Sequence, residues 1–145
     1  MNFEFRSCTP GDKQWAYALK REAYLEVVER QFGPWDEEKQ RAMFDVRWKP
    51  EISRIIMVDG VDAGVLATEE REDGLWIDEI QLASAWQGRG LGTTIIKDLL
   101  ATARSAGKPL RLQVLRENHG ARRLYLRLGF VETGETTTHF RMIHG

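Results

Sequence analysis

The sequence predicts a mixed α/β fold, one sheet of parallel and antiparallel strands with helices on both faces. Two observations carry this reading. The first half holds β-branched runs joined by Asp59-Gly60, the chemistry of a tight antiparallel hairpin. The second half alternates strand patterns with amphipathic helical segments, as strand–helix–strand units do.

Taken in order, residues 2–7 alternate as a short strand, and Thr9-Pro10-Gly11-Asp12 forms a turn and helix cap. A helix is expected from about Asp12 to Gln31, with Ala18, Leu25, Val28 and Phe32 along one side and Arg21 and Glu22 interrupting it. Gly33-Pro34 ends that helix, and Trp35-Asp36-Glu37-Glu38 opens another with acidic residues suited to its N-terminus. Ile52–Val58 and Val61–Thr68 read as a hairpin, Glu69–Gly74 as a polar connection, and Leu75–Ala83 as the next strand. Gly88–Gly92 leads into a helix reaching about Ala106, with Leu91, Ile95, Ile96, Leu99, Leu100 and Ala103 on one half of its surface. Gly107 caps it before the strand Leu110–Leu115. Asn118–Leu128 is a short helix stopped by Gly129, and Phe130-Val131 begins two closing strands. The order is β–α–α–β–β–β–α–β–α–β–β, in a single domain spanning 1–145.

Composition narrows the function. The chain has 145 residues, 42% hydrophobic and 30% charged, as an ordinary globular domain does. A net charge of −1 gives no global drive toward nucleic acid or an anionic membrane. Arg116, Arg122, Arg123 and Arg127 form a local basic cluster, suited either to a phosphate-bearing ligand or to a solvated helix face. Cys8 is the only cysteine, so an internal disulfide and a cysteine-rich zinc site are excluded. The three histidines have no metal-box spacing, and no metal is expected. No signal-peptide pattern and no apolar run of membrane-spanning length appears, so a cytoplasmic protein is expected.

The chemistry centres on Gln87-Gly88-Arg89-Gly90-Leu91-Gly92, between a strand and an amphipathic helix. Glycines there permit close backbone approach to a ligand, and the following helix start offers unpaired N–H groups to phosphate oxygens. A tight corner with no ligand has the same pattern. A P-loop requires Lys-Ser/Thr where this chain has Thr93-Thr94, and a dinucleotide fingerprint requires glycine where position 93 is Thr.

These residues resemble the Q/R-x-x-G-x-G/A signature of GCN5-related (GNAT) acetyltransferases. A second segment, Asn118-x-x-Ala121-x-x-Leu124-Tyr125-x-x-x-Gly129-Phe130, resembles that family's downstream motif, in the family's order and spacing. Ser84-Ala85-Trp86 departs from the proline-containing turn of many members. The resemblance implies the GNAT fold, acetyl-CoA as cofactor, and acetyl transfer to a primary amine by direct attack in a ternary complex. A small-molecule acceptor is preferred to a peptide. The alternatives are a protein or peptide N-acetyltransferase and a non-catalytic acyl-CoA sensor. The resemblance also admits a homodimer.

Residue by residue, the resemblance assigns pyrophosphate binding to the backbone amides of Gln87, Gly88, Arg89, Gly90, Leu91, Gly92 and Thr93. It implies a splayed strand near Leu82–Ser84 whose backbone groups are left for the pantetheine arm, with the Leu82 amide facing the thioester carbonyl. Ser84 belongs to that segment. Asn118 either contacts the cofactor arm or caps its helix. Tyr125 is the matching general acid, although helix periodicity alone places its ring with Ala121, Leu124 and Leu128 in the core. Along the strand, Trp76, Asp78, Ile80 and Leu82 share one face and Ile77, Glu79, Gln81 and Ala83 the other. A buried strand carboxylate needs a partner, which singles out Asp78 and Glu79 as candidate bases. The resemblance selects Asp78, four positions before Leu82; a bulge would select Glu79 instead. The first two helices commonly wall the acceptor site in this family. Arg21, Glu22, Tyr24, Trp35, Asp36 and Glu37 are therefore candidates, with Trp35 and the acids suited to an ammonium group. His139, in the predicted last strand, is the other acceptor-side candidate.

Overall fold

The computed structural model describes residues 2–145, and every predicted strand and helix occurs in the predicted order. The first strand, β1, is Phe3–Ser7. Thr9 and Asp12 then form a reciprocal cap around one 3-10 turn, and the long helix α1 runs Lys13–Phe32. Arg6 of β1 donates to both Asp12 and Asp62. Its guanidinium holds the Asp12 carboxyl down to about 2 from the ordinary 3.8. Helix α2, Glu37–Arg47, is capped by Asp36, whose side chain accepts from the Lys39 amide. Strand β2 (Ser53–Val58) turns through Asp59 (φ 52°) and Gly60 (φ 77°) into β3 (Val61–Arg71), the left-handed pair that a two-residue hairpin turn requires.

Strand β4 is Gly74–Leu82, helix α3 Leu91–Ser105, and strand β5 Leu110–Leu115. Helix α4 (His119–Arg127) and strands β6 (Val131–Glu135) and β7 (His139–His144) close the chain. The seven strands form one mixed sheet in the order β1-β2-β3-β4-β5-β7-β6. Leu75 and Trp76 of β4 pair in parallel with Leu110 and Arg111 of β5, whereas β7 runs antiparallel to both β5 and β6.

Two compact units divide the chain, residues 1–67 with 79–92 and residues 68–78 with 93–145. The core of the first gathers Ala16, Tyr17, Leu19, Phe44, Ile55 and Val65, with Trp15, Trp35, Trp48 and Met57 packed against them. Burying an isoleucine such as Ile55 contributes about 1.5–3 kcal/mol. In the second unit Ile95, Ile96, Leu99 and Ala103 of α3 are buried as their spacing predicts, together with Leu110, Leu112, Phe130 and Met142.

Two expectations need correction. The buried side of α1 is Ala16, Tyr17, Leu19, Val27 and Val28; Ala18 and Phe32 are exposed. Of the predicted stripe, Val28 alone is fully buried, because the helix turns its Tyr17 side to the core and Phe32 falls in the last turn. Strand β3 also extends to Arg71, which shrinks the Glu69–Gly74 connection to Glu72-Asp73. Arg71 pairs with both Glu69 and Asp78 at 2.8 Å, and this charge matching supports strand pairing in a polar stretch.

Candidate active site

In the first unit, β4 ends at Leu82 and the chain makes a 3-10 turn at Ser84–Trp86. The Ala83 amide donates to Ala63 O (2.8 Å), and the Gln87 side chain donates to Leu82 O (2.9 Å). The Trp86 and Gln87 amides donate to Ala83 O and Ser84 O. These bonds narrow the set of backbone groups that the resemblance leaves for a ligand between Leu82 and Ser84. They also fix where the glycine-rich loop starts.

Gly88 (φ 71°) and Gly90 (φ 81°) both adopt left-handed conformations, and a Cβ at either would meet no protein atom within 4 Å. The loop therefore turns its backbone through conformations that only glycine takes readily, beside open space. Leu91, fully buried, anchors the start of the 15-residue α3 directly after it. Arg89 is exposed, its guanidinium 5.1 Å from the Trp86 ring centroid. Paired left-handed glycines, a helix N-terminus and an exposed cation make a chemically coherent anion site.

Glu79 is half-buried in the same unit. Lys20 of α1 donates to its Oε1 at 2.9 Å, and the Gln81 side-chain Nε2 donates to Oε2. Lys20 is itself held by the Phe44 ring, 6.0 Å from its ammonium. Gly64 of β3 lies against this part of β4. A Cβ there would overlap the Gln81 carbonyl oxygen and sit 2.9 Å from Leu82 Cδ2.

Between α1 and α2, Arg21, Trp35 and Glu37 come together, joined by Tyr17 and Arg41. Trp35 and Glu37 are thus engaged within the protein rather than left open for an ammonium group. Glu22 is exposed and Tyr24 half-buried, and Asp36 serves as the α2 cap.

In the second unit Asp78 pairs with Arg71, whose guanidinium lies 4.8 Å from the Trp76 ring centroid. Asn118 caps α4, its side chain accepting from the Ala121 amide at 3.3 Å. Tyr125 is 8% exposed, its ring edge-on to Phe130 at 5.5 Å, so its ring does lie in the core. His139 is half-buried with Nδ1 2.7 Å from Thr138 Oγ1. Within the basic cluster, Arg116 donates to Thr136 O and Arg122 pairs with Glu132; Arg123 and Arg127 are exposed.

Three features were missed by pattern reading. Lys20 sits among the buried residues of α1, and a cation at that phase signals a carboxylate partner. Gly64 inside a buried β run signals close backbone approach. Arg41 carries no sequence signal beyond its i,i+4 spacing from Glu37. Among the described residues no group of three or more His, Cys, Asp or Glu is placed to hold a metal, and no helix is long and apolar enough to cross a membrane.

Comparison with known proteins bears on the whole chain. Residues 15–130 match the model of the acetyltransferase (GNAT) family. The PaiA N-acetyltransferase of Thermoplasma acidophilum, solved in complex with coenzyme A, superposes with a TM-score of 0.76 at 16% identity, covering 99% of this chain and 98% of that one. An N-acetyltransferase from Staphylococcus aureus Mu50 gives 0.69 at 17% identity, with coverage of 97% and 100%. The ribosomal-protein-S18-alanine N-acetyltransferase of Escherichia coli gives 0.63 at 21%, with coverage of 98% and 92%. At such identities these structures establish the shared fold. No curated protein matches in sequence. The family match covers most of the chain, both motif segments included, and the chain belongs to the acetyltransferase (GNAT) family.

Proposed function

We propose that the protein is an N-acetyltransferase that moves an acetyl group from acetyl-CoA to a primary amine, by direct attack in a ternary complex, with a small molecule as the acceptor. The observation that carries this reading is the Gly88–Gly90 loop, whose left-handed glycines feed α3 where the sequence resembles the family's signature, inside the segment that the family model matches. That geometry fits a pyrophosphate: among the described residues nothing lies within 4 Å of where a Cβ of Gly88 or Gly90 would stand, the start of α3 follows directly, and Arg89 is exposed beside it. The family match runs through both compact units, which supports one catalytic domain over 1–145.

When bound, acetyl-CoA supplies the activated acetyl group and a thiolate leaving group. The amides from Gly88 to Thr93 hold the phosphates, with Gln87 setting the start of the loop through its own bonds to Ser84 O and Leu82 O. The Leu82 amide polarises the thioester carbonyl, and Asn118, besides capping α4, contacts the cofactor arm. Tyr125 gives a proton to the departing sulfur. Glu79 is the proposed base, taking the ammonium proton directly or through water. Its support is the Lys20 and Gln81 contacts, which fix both carboxylate oxygens. Asp78, the position that the family pattern selects, shares Arg71 with Glu69 and is the second candidate. Tyr24, Glu22, Trp35 and His139 remain the proposed acceptor-side residues.

Replacing Gly88 by alanine tests the phosphate site. The left-handed loop becomes strained by roughly 1–2 kcal/mol, so Kd for coenzyme A in calorimetry should rise about tenfold. An unchanged Kd would remove this loop from the binding site.

A further inference from the structure

The α1–α2 segment holds two arginines on one carboxylate. Oε1 of Glu37 accepts from Tyr17 Oη (3.0 Å) and Arg41 Nε (3.1 Å), and Oε2 accepts from Trp35 Nε1 (2.8 Å) and Arg21 Nε (3.1 Å). The Trp35 bond, with those from Tyr17 and Arg21, keeps the Glu37 carboxyl below the usual range, so it stays ionised near neutral pH. One negative charge therefore serves two positive ones. Each guanidinium also lies by a ring, Arg41 4.3 Å from the Tyr17 centroid and Arg21 5.7 Å from that of Trp35.

Both arginines bond to Glu37 through Nε, and their terminal nitrogens have no hydrogen-bond partner among the described residues. Their side chains are 46% and 59% exposed, so those nitrogens are open to solvent. Each exposed guanidinium thus keeps terminal N–H groups in a fork, the geometry that matches a planar or tetrahedral oxyanion, although Glu29, whose carboxylate accepts from the Trp35 backbone amide at 3.4 Å, adds a second negative charge at the edge of the cluster.

We infer that Arg21 and Arg41 form an anion subsite for the acceptor, so that the acceptor is a small amine bearing an acidic group, a carboxylate or a phosphate. This rests on the acetyltransferase reading above. It also changes the part given to two residues of the segment: Glu37 bonds the two arginines and Trp35 bonds Glu37, so that both support the arginines that receive the opposite end of the molecule.

The test uses the full chain, acetyl-CoA and matched acceptors: amino acids against their primary amides, and aminoalkyl phosphates against the parent amino alcohols. The acidic member of at least one series should have a kcat/KM about tenfold or more higher, and the favoured series names the group. Arg21→Gln and Arg41→Gln should each shrink that ratio about tenfold, chiefly through KM of the acidic member, and Arg41→Lys should restore only part of it. The comparison within wild type needs no variant to fold, and melting curves check those that are made. Equal rates within every matched pair, or a preference for the neutral members, would overturn the subsite while leaving the acetyltransferase reading intact. No turnover with any amine would overturn that reading and the subsite with it.

Discussion

Replacing Tyr125 with phenylalanine is expected to lower kcat about 10²–10⁴-fold, the usual contribution of a positioned general acid. The substitution is a clean one. The Tyr125 ring is buried against Phe130, which in turn meets His144 edge-on, and phenylalanine keeps that packing. Losing one hydroxyl costs roughly 1 kcal/mol of stability, far too little to unfold a domain at assay temperature. A large fall in kcat with near-normal melting and near-normal coenzyme A affinity therefore belongs to the proton transfer. Turnover unchanged at saturating substrates would remove Tyr125 from that role and return it to the core alone. The acidic limb of catalysis has its own control: Glu79→Gln and Asp78→Asn should separate, with the larger loss at Glu79.

Gly64→Ala should be the most damaging glycine-to-alanine change in the first unit. The new Cβ would overlap the Gln81 carbonyl oxygen and lie 3.2 Å from Leu82 Cα as well as 2.9 Å from Leu82 Cδ2. Two of these are backbone atoms that cannot swing aside. Strand β4 must move, and the neighbouring bond from the Ala83 amide to Ala63 O is strained with it. The expected cost is about 3 kcal/mol, at the upper end of overpacking, and a melting temperature lower by roughly 10 °C. Thermal unfolding followed by circular dichroism measures it. Because Leu82 is the proposed carbonyl-polarising residue, the folded fraction should also show reduced turnover. A variant that melts like wild type would mean that β3 and β4 are not packed as closely as described.

The fold was largely legible because its punctuation is strong. Asp59-Gly60 and the Thr9–Asp12 cap each specify one local geometry, and the structure has both. The glycine-rich loop was legible for the same reason, since Gly88 and Gly90 do take the left-handed conformations that their spacing implies. The side of α1 was not. Its apolar residues are spread around the helix, so the buried side is decided by which residues meet Phe44 and Val65, a tertiary fact that periodicity does not contain. The cluster between α1 and α2 was hidden for a related reason. Arg21, Trp35, Glu37 and Arg41 read individually as a surface helix and a binding aromatic; only their joint attachment to one carboxylate changes what each has available to offer a ligand.

The most direct test of the central claim is thiol release from acetyl-CoA by the wild-type chain, measured against a panel of amino acids, aminoalkyl phosphates, polyamines, aminoglycosides and peptides, with coenzyme A binding measured in parallel by calorimetry. The account predicts coenzyme A binding, and thiol release that depends on a small amine from the panel. Failure to bind coenzyme A, or binding with no release in the presence of any amine, would contradict it.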